Sequence, residues 1–477
     1  MANTLAIAAV APFVGYLQDL LGKRYIALFG ALCICTGIVI IGTAHTFGQG
    51  VVGMALAGVG AGIGELTGLA GLAECVPVRA RGYSIAILTA FVIVFTPYIF
   101  YCQLLGTRAS WRWTAWISLI YNGITGIGLA VFYHPHNHAR AQGYSKRAIL
   151  EKIDYVGGFL SIVGLTLLLV ALQSGGYTHP WKSAYCLATL IFGIFLIAAW
   201  IIWEAKFAKY PMVPSALFKG QRIVALAYAT AFVGGMFFYS ALNFLPLIWD
   251  SIYVNDPIQI GLKGLPPAIA TTLGAIGFNA LLSTYPSHSR EILMVGALIM
   301  TGFGGALAII NPDNPKTAVA IATMTCIGLG GMIVPTATVA LLVTPDALIT
   351  TCAALSLSVR AVGGAIGYTI YYNVFVQKLT PRLPVYVAEY AIKAGLPVTS
   401  ATLFVETLFG DPAKILTVPG VTPKVLAAAT YGSQWAYAES LKYVWYTSIA
   451  FGICAIVCVA FLPSTAKYQT NRVAVML

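Results

Sequence analysis

The decapeptide Gly15-Tyr16-Leu17-Gln18-Asp19-Leu20-Leu21-Gly22-Lys23-Arg24 separates two long apolar runs and decides how the chain folds. Gly15 lets the end of one helix pack closely against a neighbour, and Gly22 permits a tight turn before the next helix. Asp19 can accept hydrogen bonds from a helix N-terminus or from an arginine elsewhere in the chain. Lys23 and Arg24 hold this edge on the cytoplasmic side of a membrane. The stretch predicts a polar turn between two membrane-spanning helices.

The composition places the whole chain in a lipid bilayer. Of its 477 residues, 59% are hydrophobic and only 9% are charged, whereas soluble globular proteins carry about 25% charged residues. The net charge of +12 lies mostly in short loops between apolar runs, which is how membrane proteins set their orientation. The excess of basic over acidic residues therefore does not indicate a nucleic-acid partner.

Apolar runs near the ~20 residues that a bilayer requires recur along the chain and predict about 13 spans. They lie at Leu5–Leu17, Tyr25–Ala44, Gly50–Leu72, Ser84–Leu104, Trp113–Phe132, Val156–Leu172, Ala184–Trp203, Ile223–Ile248, Ile258–Leu282, Ile292–Ile310, Ala318–Leu342, Ile349–Val376 and Tyr443–Leu462. Most bases fall in alternate loops, so the positive-inside rule places the decapeptide and the C-terminus in the cytoplasm. We expect the plasma membrane, with the vacuolar membrane as the alternative.

Written as a pattern, the decapeptide is GxLxDxxGKR, and it resembles the cytoplasmic loop signature between the second and third helices of major facilitator superfamily transporters. The resemblance implies that the decapeptide is a conformational-switch loop. It also implies an all-helical fold of two six-helix bundles with alternating access at the midplane. Because the signature follows the second helix in that family, the first helix is expected to be missing here. Restoring it would give about 14 spans, which resembles the fourteen-spanner drug:proton antiporter branch with two extra central helices.

The resulting division of the chain has five parts. They are an N-terminal helical bundle lacking its first helix (1–133), a cytoplasmic loop (134–153), two linking helices (154–205), a C-terminal helical bundle (206–463) and a cytoplasmic tail (464–477). Within the C-terminal bundle, 378–442 is predicted to be a long exterior loop. Its prolines argue against a single long helix; they are Pro381, Pro384, Pro397, Pro412, Pro419 and Pro423.

Small residues point to close helix packing at two places. Gly58, Gly60, Gly62 and Gly64 predict one nearly bare helix face that another helix can approach, and the run resembles the glycine-rich fourth helix of these transporters. Gly363 and Gly367 form a second small-residue pair. Three stretches resemble fungal trichothecene efflux pumps, and the third also resembles siderophore transporters: 73–82, Tyr133-His134-Pro135 and Ser356–Gly367.

Two ionisable residues lie deep in predicted spans, Glu65 and Arg360. A charge at the centre of a membrane helix costs at least about 2.5 to 3.5 kcal/mol, so such residues are candidates for function. We hypothesise that Glu65 is a protonatable group facing a cavity. Arg360 is then either its charge partner or an anchor for an acidic substrate. The alternative is that both are structural groups satisfied by neighbouring helices.

Neutral polar and aromatic residues in the spans are candidates for lining an amphipathic cavity. They are Gln103, Asn122, Asn243 and Asn279, with Tyr228, Phe237 and Tyr239. The alternating histidines of His134–His138 could bind a metal, but a run in a loop without a nearby cysteine pair favours a solvated segment. The sequence predicts no metal site and no cofactor, and no nucleotide motif or catalytic triad is visible.

These observations favour a secondary transporter that acts as a monomer and is not an enzyme. The leading prediction is proton-coupled export of a hydrophobic or amphipathic toxin, drug or secondary metabolite. Uptake of a siderophore-iron chelate on the same fold is one alternative. A transport-inactive protein or membrane sensor is the other, and no residue separates export from import.

Overall fold

A computed structural model describes residues 2–134, 151, 153–176, 178–219, 222–253 and 256–474. Within these ranges, 13 helical segments are long and apolar enough to cross a bilayer. The prediction of about 13 spans is therefore confirmed. Most of the His134–His138 run and of the predicted loop 134–153 lies outside the described residues.

The N-terminal side is built from α1 (Ala2–Leu21), α2 (Lys23–Gly42), α3 (Phe47–Cys75), α4 (Arg81–Ala90), α5 (Tyr98–Arg108) and α6 (Arg112–Phe132). Gly22 makes the turn between α1 and α2 with a φ of 92°, which favours a residue without a Cβ. Thr46 and Gln49 begin α3 with reciprocal side-chain-to-backbone hydrogen bonds, which satisfy N–H groups of its first turn. α4 and α5 share one span, which is interrupted just before Pro97 because proline has no N–H to donate.

Two linking helices follow, α7 (Tyr155–Ser174) and α8 (Ala184–Lys206). The Asp154 side chain caps α7 by accepting from the Gly157 N–H at 2.8 Å, and it also accepts from the Trp203 indole N–H at 3.0 Å. α7 and α8 pack side by side, and α7 also contacts α1. Because α7 contacts the helix Ile349–Lys393 of the C-terminal side as well, the linking pair is attached to both sides of the molecule.

The C-terminal side contains α9 (Ile223–Ile248), α10 (Pro257–Thr284), α11 (Ser289–Ala306), α12 (Pro315–Val343), α13 (Ile349–Lys393), α14 (Ala401–Gly410) and α15 (Pro423–Ala460). α12 is the most deeply buried of the described spans. The main core runs continuously from α1 and α3 into α9, α12 and α13. Apolar contact therefore joins the two sides through the middle of the molecule.

The predicted exterior loop 378–442 is largely helical, which differs from the sequence expectation. α13 continues through Pro381 and Pro384 as far as Lys393. Each proline leaves the carbonyl four residues earlier without a helical hydrogen bond. These two carbonyls belong to Gln377 and Thr380, which are exposed, so water can donate hydrogen bonds to both. The α13 extension, α14 and the start of α15 enclose a small apolar core of their own.

The two sides meet along two seams. α1 packs against α13, and α4 and α5 pack against α10. At the second seam a Cβ on Gly261 would lie 2.8 Å from Phe100 Cα, so the helices approach closely. We call the end of the molecule that carries residues 15–24 the signature end, and the other the opposite end. α13 runs from the signature end to the opposite end and beyond.

Candidate functional site along helix α13

Polar groups meet α13 at three levels. Thr350 and Thr351 lie at the signature end, Arg360 lies nine residues further on, and Tyr368 another eight. With a rise of 1.5 Å per residue, the levels are ~12 to 14 Å apart, so that they are spread across most of the ~30 Å apolar layer of a bilayer. A single helix therefore connects all three levels.

The first level closes the signature end with bonds between the two sides. The Thr351 hydroxyl donates to Asp19 at 2.6 Å, and the Thr350 hydroxyl donates to Glu74 at 3.2 Å. Glu74 in turn forms an ion pair with Lys23. The predicted switch loop thus contacts α3 on its own side and α13 on the other.

Arg81 strengthens the same closure at the second seam. Its side chain is fully buried, and it donates to the Ala73 carbonyl at 2.8 Å and the Leu341 carbonyl at 2.6 Å. Asp346 lies 3.9 Å from the guanidinium and accepts from Arg472 at 3.1 Å. A buried guanidinium that bonds to both sides makes separation of this end costly.

The remaining switch-loop residues have separate local roles. Gly15 lies against Ala354 of α13, where a Cβ would not fit. The Arg24 guanidinium donates to the Ala130 carbonyl at the end of α6, at 3.0 Å. Gly22 is the turn residue described above. The loop is therefore fixed both to its own bundle and to α13.

The second level is an ion pair between the two sides. The Arg360 guanidinium donates to Glu65 at 2.5 Å, and the Arg360 side chain is 12% exposed whereas that of Glu65 is 45% exposed. The Tyr239 hydroxyl of α9 lies against the same guanidinium. Positions 64 and 68 on either side of the carboxylate face open space, because no atom lies within 4 Å of where a Cβ would be. The pair is thus enclosed on the α13 side and open on the α3 side.

The third level is a cavity of about 930 Å³ at the opposite end. Six helices and their connections contribute to it, and the wall has aromatic faces, hydroxyls and amides. None of its described residues is acidic. Its principal polar and aromatic residues are Trp111, Arg112, Gln173, Tyr368, Tyr372 and Asn373. The size and the mixed lining are those of a small-molecule site.

Two residues of the cavity wall differ in how their hydrogen-bond donors are used. Arg112 donates to the carbonyls of Gly42 and Ala44 at 3.2 and 3.0 Å, so two of its five N–H donors are used at the end of α2. The Gln173 amide nitrogen, on linking helix α7, is buried and has no hydrogen-bond partner in the described structure. Eleven buried side-chain polar atoms of the described residues have no partner, and this is the one that belongs to a residue of the cavity wall.

The neutral residues proposed from the sequence are not brought together in this cavity. Asn279 is fully buried and accepts from the Thr338 hydroxyl between α10 and α12 at 2.6 Å. Asn243 and Asn122 donate to carbonyls one turn earlier in their own helices, and Gln103 is half-buried on α5. The reason is rotational: hydropathy locates a span but does not say which face turns inward.

The three aromatic candidates are all buried rather than exposed to the cavity. Tyr228 donates to the Cys352 carbonyl at 2.9 Å, and Phe237 belongs to the main core. Tyr239 is the only one of the three that reaches a polar level, through Arg360. Most of these rings therefore pack the C-terminal side.

The glycine run on α3 differs from the expectation of a single bare face. Gly58 lies against the backbone of Asn3 in α1, whereas Gly60 lies against α2. Gly62 again faces α1, at 3.5 Å from Ile7, and Gly64 faces open space. Residues two apart point to nearly opposite sides of a helix, so the run serves two neighbours. On α13, Gly363 and Gly367 lie against Phe232 and Met236 of α9.

Several residues of the three levels were not proposed as site residues from the sequence. Glu74 and Arg81 were noted only within the stretch 73–82, and Thr350, Thr351 and Gln173 carried no signal. Glu74 lies just after one predicted span and Arg81 lies just before the next. A charged residue next to a span boundary is a signal that could have identified both. Hydroxyls and a lone amide in apolar helices are too common to single out.

Comparison with known proteins places the chain among transporters. Residues 3–477 match a family model described as "Fungal trichothecene efflux pump". The chain is 26% identical to MFS-type transporter prx5 of Penicillium rubens, over 91% of this chain and 80% of that one. It is 24% identical to trichothecene efflux pump TRI12 of Fusarium sporotrichioides, over 96% and 78%.

The fold is also found among solved structures. The human organic anion transporter MFSD10 superposes with a TM-score of 0.53, covering 94% of this chain and 82% of that one at 11% sequence identity. At this identity the likeness concerns the fold alone. The predicted major facilitator fold is confirmed.

Proposed function

This chain belongs to the fungal trichothecene efflux pump family of membrane transporters, and from that premise we propose that it exports a hydrophobic or amphipathic small molecule in exchange for protons. The coupling site is the Glu65–Arg360 pair, and the substrate occupies the cavity at the opposite end before release. The transporter works at the plasma membrane as a monomer. The relatives are named as transporters and efflux pumps, so uptake of a siderophore-iron chelate finds no support.

The observation that carries the proposal is the position of the ion pair. Glu65 belongs to the N-terminal side and Arg360 to the C-terminal side, and they meet between a closed signature end and an open cavity. A charge pair in the apolar layer is kept only if both charges are satisfied. Whatever neutralises one partner therefore changes the balance between the two sides.

Protonation of Glu65 provides that change. A neutral carboxyl loses the Coulomb attraction to Arg360 that holds α3 against α13 at mid-depth. The sides can then separate at the signature end, where substrate enters and the proton leaves. When the pair forms again, the signature end closes and the cavity opens, so that one proton moves inward as one substrate moves outward.

The cavity supports the class of substrate. Trp111, Tyr368 and Tyr372 offer aromatic faces, and Gln173 offers an unused amide donor. A lining of this kind recognises an apolar body that carries a few hydrogen-bond acceptors. No acidic residue of the described wall is available to attract a cation.

The test is accumulation of a panel of apolar toxins, azoles and ferric siderophores in pump-deficient yeast that expresses the chain, with and without a protonophore. We expect lower accumulation of at least one apolar compound, and the protonophore should abolish the difference. Glu65→Gln should remove export while the protein still reaches the membrane.

The matched control is Glu291→Gln, which removes a carboxylate from an exposed ion pair with Arg290 at the signature end. This variant should export normally. If the Glu65→Gln protein still exports, and the protonophore still abolishes that export, the coupling role of Glu65 is contradicted. No change in accumulation of any compound, with the protein shown at the membrane, would favour a sensor over a transporter.

A further inference from the structure

A second cavity, of about 590 Å³, lies at the signature end, away from the three levels on α13. One wall is the segment that leads into α9, and the other is the C-terminal segment that follows α15. It is lined by Phe218, Arg222, Ile223, Ala225, Pro463, Lys467 and Tyr468. Nothing in the proposed transport cycle uses this cavity.

The charges of the wall are all positive. Arg222 and Lys467 face each other across two separate segments, and no acidic residue contributes to the described lining. Both side chains are exposed, and neither has an ion-pair partner among the described residues. The first turn of α9 also belongs to the wall, and the N-terminal end of a helix favours an anion. The Lys467 ammonium lies over the Tyr468 ring, 4.9 Å from its centroid. The chemistry that fits two cations without acidic partners and a helix N-terminus is a phosphate group.

The depth of the cavity indicates where that phosphate comes from. α9 begins at Ile223 and α15 ends at Ala460, so that the cavity lies where two spans leave the apolar layer. Phe218, Ile223 and Pro463 give it an apolar side next to the two cations. Basic pockets at this level on the cytoplasmic side of a membrane recognise anionic lipid headgroups. The positive-inside bias places the signature end on that side.

The C-terminal segment that forms one wall also bridges the two halves of the molecule. On the C-terminal side the Thr465 hydroxyl lies 3.1 Å from that of Ser289. Further along, the segment accepts two backbone hydrogen bonds from the N-terminal side: Arg79 N–H donates to Thr470 and Val78 N–H donates to Arg472, each at 3.0 Å. The segment is therefore a strap across the signature end.

We propose that this cavity binds the phosphate headgroup of an anionic phospholipid and thereby stabilises the closed signature end. A headgroup held between Arg222 and Lys467 fixes the strap three to five residues before the carbonyls of Thr470 and Arg472 that accept from the N-terminal side, so it favours the docked strap. By linkage, a ligand that binds one state stabilises that state by mass action. Anionic lipid in the adjacent leaflet then favours the conformation in which the strap joins the two sides.

The test measures lipid retention and strap docking on the full chain. Native mass spectrometry should detect retained dioleoylphosphatidic acid on the purified protein, and far less on the double variant Arg222→Gln, Lys467→Gln. In phosphatidylcholine nanodiscs, adding this lipid should slow amide exchange at Val78 and Arg79, whose N–H groups bind the strap. At roughly ten times the Kd, the slowing should be about tenfold.

A matched control and a soluble probe separate the possible ligands. Lys206→Gln removes an exposed base at the same end, outside the cavity, and should retain both the lipid and the slowed exchange. Glycerol 3-phosphate supplies the same phosphate without acyl chains; slowed exchange with this probe but not with the lipid would overturn a lipid occupant. Equal exchange with and without the lipid, or an undiminished lipid effect in the double variant, would also overturn the proposal.

Discussion

The signature end and the opposite end of this molecule are built from the same helices but use their polar groups differently. At the signature end, Asp19, Glu74 and Arg81 on one side bond to Thr351, Thr350 and Leu341 on the other. At the opposite end, α13 lines a cavity instead, and the Gln173 amide beside it has no partner in the described structure.

The difference shows how a sequence can close one end of a bundle and keep the other open. Polar groups that bond across the seam stabilise closure, whereas the Gln173 amide at the cavity wall has no protein partner and can donate to a ligand. Removing a group that bonds across the seam should therefore lower the free energy of unfolding, whereas removing the Gln173 amide should raise it. The predictions below test that contrast, from the largest expected effect to the smallest.

The largest effect is expected from Arg81→Gln at the signature end. The change removes donors to two buried carbonyls and the attraction to Asp346. Since a hydrogen bond from a charged donor contributes about 1.5 to 3 kcal/mol, we expect a loss of about 3 kcal/mol or more in the free energy of unfolding. Thermal unfolding of the purified protein in detergent measures the change.

Its control is Arg79→Gln, which removes an exposed base two residues earlier. Arg79 contributes its backbone N–H to the strap, which glutamine retains. An exposed substitution of this kind should alter the free energy of unfolding by no more than about 0.5 kcal/mol. Equal destabilisation by the two variants would contradict the role assigned to the buried guanidinium.

A smaller effect is expected for the bond between Asp19 and Thr351. In a double-mutant cycle, Asp19→Asn and Thr351→Val should show a coupling of about 1.5 kcal/mol, because the hydroxyl donates to a carboxylate. Thr344→Val is the control, since that hydroxyl donates to the Ala340 carbonyl at the end of α12, which lies on the same side of the molecule. The effects of Asp19→Asn and Thr344→Val on the free energy of unfolding should be additive. If the effects of Asp19→Asn and Thr351→Val are additive as well, the bond between Asp19 and Thr351 does not stabilise the closed signature end.

The smallest effect, and one of opposite sign, is expected for Gln173→Leu at the opposite end. Because its amide nitrogen is buried without a partner, leucine should raise the free energy of unfolding by about 1 kcal/mol while export declines. Gln103→Leu, outside the cavity wall, should leave export unchanged. A destabilised Gln173→Leu protein, or one with full export, would break the contrast between the two ends.

The span layout could be predicted from the sequence because lipid leaves the backbone few choices. Each apolar run must satisfy its own hydrogen bonds, so it becomes a helix, and 13 runs gave 13 spans. The extension of α13 through Pro381 and Pro384 could not be predicted in this way. Beyond the apolar layer, water can bond to the carbonyls that the two prolines leave without a partner. The requirement that a segment satisfy its own backbone hydrogen bonds therefore no longer applies there.

The candidate site could be predicted from the sequence only where a residue is costly to bury. Glu65 and Arg360 were found because a charge in a span needs a reason, and the structure places them in one ion pair. Asn279 was one of several neutral candidates, and it bonds to Thr338 inside the C-terminal side. Whether a polar residue meets its own bundle, the other bundle or a cavity depends on helix rotation and pairing, which arise from packing of the whole chain.

The most direct test of the account measures both ends of the molecule at once. Spin labels at Cys75 and His288→Cys report the width of the signature end. Labels at Thr43→Cys and Lys316→Cys report the opposite end; all four positions are exposed, and the other cysteines are replaced by serine. Adding Glu65→Gln, which mimics the protonated carboxyl, should lengthen the first distance and shorten the second. Distances that stay unchanged, or that change in the same direction, would contradict control of alternating access by the Glu65–Arg360 pair.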